Sequence, residues 1–376
     1  MIVRHVSLCD FRNYTKQVLD LSPGLNILVG ANAQGKTNFL EALYFGAMGR
    51  SRRAGNDREL IRFGAKAAFV QLEVETGREL METSGLAPSG NRIDVHIRRE
   101  GPKGIAVNGL PLQRLGDLFG VLLVVMFSPE DLQLVKNGPA ERRRFYDMEL
   151  CQLSPVYYGD LQRYYRVMKQ RNSLLKRLQK FRDEALLASL APWDEQLADY
   201  GARIVAHRRR FTVRLDELAS AIHGRVTGGL ETLRVAYKPS VNEADFREKL
   251  ARNLERDIYM GTTTIGIQKD DAVFYINDVD ARQYGSQGQQ RTASLSLKLA
   301  EIDLIREEKG ETPVLLLDDV FSELDADRQR CLLESIQDVQ TVLTCTGVED
   351  MLAEVCGSAE DGVAVFHVSG GSIARV

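Results

Sequence analysis

The feature that most constrains this chain is a short run near its start. The apolar segment Leu25-Asn26-Ile27-Leu28-Val29 stops at Gly30-Ala31-Asn32-Ala33-Gln34-Gly35-Lys36-Thr37, and an apolar-periodic stretch follows over about 36–45. The spacing G-x-x-x-x-G-K-[ST] between a strand and a helix is the phosphate-loop pattern. Its glycines let backbone N–H groups turn inward around an anion at a helix N-terminus, where the helix dipole also favours negative charge. Lys36 is then placed to neutralise β- and γ-phosphate oxygens, and the Thr37 hydroxyl to ligate Mg²⁺. Asn38, the next residue, belongs with the same nucleotide-contacting group. ATP and Mg²⁺ are the expected cofactors.

A second apolar run, Val314-Leu315-Leu316-Leu317, ends in Asp318-Asp319. A buried parallel strand presents such carboxylates at its C-terminal edge. Asp318 is the expected metal ligand. Asp319, one position on and so on the opposite side of an ideal strand, is the expected general base or water-positioning group. Between the two motifs lies Tyr284-Gly285-Ser286-Gln287-Gly288-Gln289-Gln290-Arg291, ahead of a helical pattern over about 289–306. Two readings of it stay open: Ser286 as a plain helix N-cap, or a second anion site that serves the ATP of a partner subunit. Ser322-Glu323-Leu324-Asp325 is likewise either a cap for the next helix or part of a dimer seam.

The surrounding pattern is α/β. Strand-like alternation appears over 1–11, 68–75 and 93–98, suggesting an antiparallel side sheet. From 155 to 226 the period becomes helical, with Leu161, Tyr165, Met168, Leu175 and Leu178 near one face. A break at Leu190-Ala191-Pro192 folds two helices back as an antiparallel pair, because proline disrupts a helix interior. Strand and helix alternate again after Tyr284, with a strand at 341–345. This gives an N-terminal ATPase portion over 1–110, an inserted, mainly helical lobe over 111–270 with a short antiparallel arm, and a C-terminal ATPase portion over 271–376.

At 376 residues, 44% hydrophobic and 27% charged, the chain has ample material for cores, and no apolar run reaches the roughly 18 residues of a membrane span. The first residues read as a strand rather than a secretion signal, so a cytoplasmic protein with no membrane partner is expected. Cys9, Cys151, Cys331, Cys345 and Cys356 show no C-x-x-C spacing and read as reduced structural thiols. The five histidines form no zinc-type cluster. A net charge of −3 leaves any polyanion contact to local patches.

The motifs in this order resemble the ABC-type ATPases of the SMC class, and the RecF family in particular. Phe11-Arg12-Asn13-Tyr14, the segment Asp57 to Gly64, Phe127 to Leu132, Gly138-Pro139 and Arg142-Arg143-Arg144-Phe145 all look like segments of that family. The resemblance covers nearly the whole chain. It implies a P-loop ATPase head with an antiparallel side sheet and an inserted helical lobe, two copies closing face to face around two ATP molecules. By carry-over, Gly30 to Thr37 hold phosphates, Asp318 and Thr37 the metal, Asp319 the hydrolytic water, and Ser286, Gly288 and Gln289 the γ-phosphate of the other copy. Arg12 and Asn13 approach the nucleotide. Further implications are a slow, DNA-stimulated ATPase acting as a switch in DNA damage repair and the SOS response, and partnership with RecO and RecR in loading the RecA recombinase.

The chain departs from the family pattern at three places. Gly266-Ile267-Gln268-Lys269-Asp270-Asp271 stands where the family reads G-P-H-R-D-D; Thr344-Cys345-Thr346 lacks the histidine of transporter ATPases; and the glutamine that relatives carry before the insertion is replaced around Phe127-Ser128. Slow hydrolysis is the expected consequence.

Eight Lys or Arg (163, 166, 169, 171, 176, 177, 180, 182) and no acid fall between Leu161 and Arg182, and His207 to Arg210 adds a basic run. Such a stripe fits either a solvated helix face or phosphate contact; the family resemblance favours DNA, duplex or single-strand/double-strand junction. Arg52, Arg53, Arg58 and Arg62 form a second candidate patch, and Arg142 to Arg144 are expected to pair with Glu141, Asp147 or Glu149 at helical spacing. Three competing readings are weaker. A nuclease-associated ATPase needs a far longer coiled coil, a transporter subunit needs a membrane partner and usually the switch histidine, and a small-molecule kinase does not explain the loop at Ser286.

Overall fold

A computed structural model describes residues 1–77, 90–131, 134–346 and 362–376. Leu132 and Cys356 lie outside the described residues. Contacts divide the chain into two units, Met1–Leu132 with Ser294–Val376, and Gln133–Ala293. The sequence reading set its boundaries at 110/111 and 270/271, about twenty residues earlier at each junction.

The first unit holds two six-stranded sheets. In the central sheet the order is Ser372–Arg375, Val363–Ser369, Leu25–Val29, Thr341–Cys345, Val314–Asp318, Val124–Phe127, with all but the edge pair of Ser372–Arg375 and Val363–Ser369 parallel. Continuous apolar runs build it because both of its faces are covered: Val124–Phe127, Val314–Asp318 and Thr341–Cys345 are buried along their whole length. The second sheet is antiparallel, in the order Tyr14–Asp20, Ile2–Phe11, Ala67–Glu75, Asn91–Arg98, Gly104–Val107, Leu110–Pro111. Its strands alternate as the sequence suggests, Ala68, Val70, Leu72 and Val74 being buried.

Helix Lys36–Met48 packs on strands of both sheets and is buried on almost every side, as a helix apolar all round must be. Gly46 permits this: a Cβ there would lie 2.3 Å from Cδ1 of the buried Leu72. The helix is thereby fixed in position, and with it the loop at its N-terminus.

The second unit combines helices Pro139–Leu153, Pro155–Lys180, Glu184–Ala188, Ala191–Val226, Phe246–Arg252 and Leu254–Met260 with a three-stranded antiparallel sheet, Val279–Asp280, Asp271–Ile276, Leu233–Lys238. The two long helices are antiparallel. Tyr157 meets Arg208, Asp160 meets Arg203, Arg163 meets Tyr200 and Arg171 meets Asp194. At the far end Leu175, Leu178, Leu190 and Ile258 form a small core.

Several sequence expectations are corrected here. Pro192 does not break a helix; it sits in the first turn of Ala191–Val226, where its missing N–H costs nothing. Tyr165 is 38% exposed, and the buried face of Pro155–Lys180 runs instead through Tyr157, Tyr164, Val167, Leu175 and Leu178. Cys9 faces outward, whereas Cys151 and Cys345 are buried.

Arg171 and Arg208, counted among surface cations by charge pattern, are fully buried. Arg171 bonds Asp194 (2.5 Å), Asp257 (2.6 Å) and Thr263 (2.9 Å). Arg208 donates to Asp147 (2.7 Å), Asp270 (2.8 Å), the Ile267 carbonyl (3.0 Å) and the Tyr157 hydroxyl (3.1 Å). Arg142 pairs with Asp271 rather than with a helical neighbour, and Arg143 donates to the Asp270 carbonyl. The two aspartates that end the divergent segment 266–271 thus anchor arginines from two helices.

Candidate nucleotide site

The loop at 30–37 starts where Leu25–Val29 leaves the centre of the parallel sheet and ends at the N-terminus of Lys36–Met48. Its turn needs unusual backbone angles, φ +63° at Ala33 and +122° at Gly35. A Cβ at Gly35 would fall 2.6 Å from Asn13 Nδ2, so glycine is required by both geometry and space.

The Phe11-Arg12-Asn13-Tyr14 segment holds this loop from outside. Asn13 Nδ2 donates to the Gln34 carbonyl (2.8 Å) and the Tyr14 hydroxyl to the Gly35 carbonyl (2.9 Å). Asn38 Nδ2 donates to Asn13 Oδ1 (2.9 Å), and the Gly370 N–H to Gln34 Oε1 (2.7 Å). Arg12 is clamped by both oxygens of the buried Glu41 at 2.8 and 2.9 Å. Of the expected cofactor residues, Asn13 braces the loop, Arg12 is tied to the helix that follows it, and both line a cavity beside it.

Lys36 is only 7% exposed, and its amine bonds the Gly30 and Ala31 carbonyls at 2.5 and 3.0 Å. Across the loop, Thr37 Oγ1 donates to Asp318 Oδ1 at 2.8 Å. Burial raises the Asp318 pKa above its ordinary value, while hydrogen bonds from Thr37 and Thr344 oppose the shift. A cavity of about 210 Å³ is lined by Asn32, Ala33, Gly35, Lys36, Thr37, Asn38, Arg53, Asp318, Asp319 and Thr344.

Asp319 is not on the far side of the strand. The strand ends at Asp318, and Asp319 adopts a left-handed φ of +53° that breaks the alternation and leaves both carboxylates lining one cavity. Thr344, which sequence reasoning passed over, joins the two: its hydroxyl donates to Asp318 Oδ1 (2.9 Å) and accepts the Asp319 N–H (2.9 Å). Only the parallel register Asp318↔Thr344 could have revealed it.

A larger cavity, about 720 Å³, is lined by Arg12, Asn13, Asn38, Arg53, Asn56, Arg58, Glu59, Ile61, Phe63 and Arg99; it shares Asn38 and Arg53 with the first. The Arg52 to Arg62 patch is thus divided. Arg52 is paired with buried Asp131 (2.5 Å) and Arg62 with Asp10 (2.6 Å), whereas Arg53 and Arg58 face the cavities.

In the second unit, Ser286 and Gln289 cap helix Gln287–Lys309 reciprocally. The Gln289 N–H donates to Ser286 Oγ (3.1 Å) and the Ser286 N–H to Gln289 Oε1 (2.9 Å), the arrangement of a capping box. Gln289 Nε2 also reaches Glu231 (2.9 Å). The cap reading of Ser286 is realised, with Gly288 in the first turn. Asp325 caps helix Ala326–Ser335.

Among the described residues, no group of three or more His, Cys, Asp or Glu could hold a metal. One carboxylate beside one threonine hydroxyl fits Mg²⁺ that completes its shell with phosphate oxygens and water.

Strand, phosphate loop and helix, an acid on the second strand over, and a braced antiparallel side sheet define this protein as a P-loop ATPase head of the ABC type. Residues 2–372 match the family model described as the RecF/RecN/SMC N terminal domain. The chain belongs to the RecF family of DNA replication and repair proteins. It is 47% identical over 353 residues to the DNA replication and repair protein RecF of Lachnospira eligens, covering 94% of each chain, and 40% identical over 356 residues to that of Clostridium botulinum, covering 93% of this chain and 94% of the other. A solved structure of the recombination mediator protein RecF with ATP in the RecFOR pathway matches with TM-score 0.88 and 33% identity, over 100% of this chain and 97% of that one. The Smc head domain of Pyrococcus furiosus matches with TM-score 0.56 at 17% identity, over 100% and 95%, a likeness of fold. No described helix is long and apolar enough to cross a membrane.

Proposed function

We propose that this chain is an ATP-gated DNA clamp of recombinational gap repair and replication-fork maintenance. It binds ATP with Mg²⁺, closes face to face with a second copy, holds duplex or junction DNA, and opens on slow hydrolysis. The observation that carries this reading is the Thr37–Asp318 contact at 2.8 Å beside a cavity of about 210 Å³ at the loop, in a chain akin to a RecF solved with ATP.

In this account the N–H groups of 30–38 and the Lys36 amine bind the phosphates, and Thr37 and Asp318 hold Mg²⁺. Asp319 orients the attacking water, kept in the same cavity by its left-handed backbone and by Thr344. The larger cavity receives the nucleoside, with Arg12 and Asn13 on its wall. Ser286, Gly288 and Gln289 meet the γ-phosphate bound by the other copy, which requires Gln289 to exchange its contact with Glu231. Bound Mg²⁺ would supply charge neutralisation for the phosphates. Acting in the cytoplasm, the clamp works with RecO and RecR to load RecA.

Thr344→Val keeps the shape but removes the hydroxyl that serves both aspartates. A lost hydrogen bond to a charged group costs about 1.5 to 3 kcal/mol, so ATP turnover should fall roughly tenfold to a hundredfold, with Thr344→Ser recovering most of it. Steady-state hydrolysis against Mg²⁺ concentration is the measurement; an unchanged rate in Thr344→Val removes the bridge from the account.

The clamp itself is tested by the lifetime of labelled duplex on the protein after an unlabelled chase. ATP should lengthen it, and Asp319→Asn should lengthen it further by slowing hydrolysis. Equal lifetimes with and without ATP contradict the proposal.

A further inference from the structure

Some cations on the described surface are held in ion pairs and others are not. Arg4 meets Glu75, Arg92 meets Asp94, Lys103 meets Asp57, Arg209 meets Glu243 and Arg247 meets Asp199. One helix face gathers five of the unpaired ones together. On helix Pro155–Lys180, Arg166, Lys169, Lys176, Arg177 and Lys180 are all exposed, and none has a carboxylate within ion-pair distance among the described residues.

At 100° per residue these five lie within an arc of about 100°, opposite the buried line of Tyr157, Tyr164, Val167, Leu175 and Leu178. The helix has one acid, Asp160, and it is buried on the other side, facing Arg163 and Arg203. The residues interspersed on the cationic arc, Gln162 and Ser173, are uncharged and exposed. The face is rigid as well as charged: Arg171 is locked beneath it by Asp194, Asp257 and Thr263, and the core at its far end closes around Leu175 and Leu178.

We infer that this face is the duplex DNA contact of the second unit, binding phosphates without reading sequence. The inference rests on the DNA reading proposed above and names the surface that carries it. From Arg166 to Lys180 the cations extend about 21 Å along the helix axis, a length over which duplex DNA carries roughly a dozen phosphates. A chain of net charge −3 that gathers five unpaired cations on one helix face is matched to a polyanion at that face and not over its whole surface.

The test measures affinity for a fluorescent duplex against salt concentration, with ATP and Mg²⁺, for full-length wild type and for the variant R166Q/K169Q/K176Q/R177Q/K180Q. Each phosphate contact contributes about 0.9 to the slope of log affinity against log salt. The five-site variant should therefore lose a slope of about 3 to 4.5, and affinity at roughly 0.1 M salt should fall at least tenfold. R247Q/R252Q, which alters cations already paired with Asp199 and Glu248, should keep the wild-type slope. Should the five-site variant fail to fold, K169Q and R177Q singly should each lower the slope by about one. Wild-type affinity and slope in the variants overturn this surface while leaving the clamp intact; wild type that binds no DNA overturns the clamp and the surface together.

Discussion

Lys36→Ala is expected to abolish ATP-dependent self-association while leaving the fold in place. The amine is buried within its own loop and occupied by the Gly30 and Ala31 carbonyls. It is therefore desolvated and aimed before any phosphate arrives, so little reorganisation opposes binding. Removing a buried charge that pairs with phosphate costs about 2 to 5 kcal/mol, roughly thirtyfold to a few thousandfold in affinity. The helix N-terminus and Thr37 remain, so the phosphate cavity keeps its shape. Titration calorimetry with ATP and Mg²⁺ measures the loss, and an unchanged melting temperature shows that the fold is retained. Wild-type ATP affinity in Lys36→Ala contradicts the assignment of this cavity.

The second large effect lies away from the nucleotide. Arg208→Ala should destabilise the second unit by about 3 to 5 kcal/mol, the usual result of stripping a buried ion pair of one partner. Two carboxylates, Asp147 and Asp270, depend on this guanidinium, and Asp270 also accepts from the Tyr237 hydroxyl and the Ser240 N–H. Deleting the cation leaves both charges in a site where burial already raises the Asp270 pKa. Arg208→Lys keeps the charge but cannot reach four acceptors from one planar fork, so it should fall between wild type and Arg208→Ala. Urea denaturation of the full chain followed by circular dichroism reads the shift. A midpoint within error of wild type would falsify the anchoring role given to Arg208.

These two cases mark how much the sequence reveals. Lys36 was legible because its chemistry is local: strand, glycine loop, lysine and helix are adjacent in the chain, and the fold supplies only the setting. The strands that carry Asp318 and Thr344 were legible as strands for the same reason, being apolar runs of the right length. Their order in the sheet was not, and Thr344 acquires its role only when the parallel register sets it beside Asp318. Asp319 misled because period-two reasoning holds only while the chain stays extended, and a left-handed φ ends that at once.

Arg171 and Arg208 misled for a different reason. Charge pattern places cations on surfaces by default, and the acids that bury these two come from 86 and 62 residues away in the chain. Once they are removed from the basic stripe, what remains on Pro155–Lys180 is smaller but cleaner, a face of unpaired cations. The same sorting divides the Arg52 to Arg62 cluster into structural pairs and cavity walls. Ser286 shows the limit of local reading from the other side: its hydroxyl caps the helix within this chain, and a role toward a second copy is a property that no single chain displays.

The central claim is that ATP joins two copies by being bound between the phosphate loop of one and the Ser286 loop of the other. The most direct measurement is the mass of the protein in solution by light scattering, with and without ATP and Mg²⁺, for wild type and Ser286→Arg. The account predicts a wild-type dimer only with ATP, and a Ser286→Arg protein that binds ATP yet stays a monomer. A wild-type protein that remains monomeric with ATP bound, or a Ser286→Arg protein that dimerises as wild type does, contradicts the shared site.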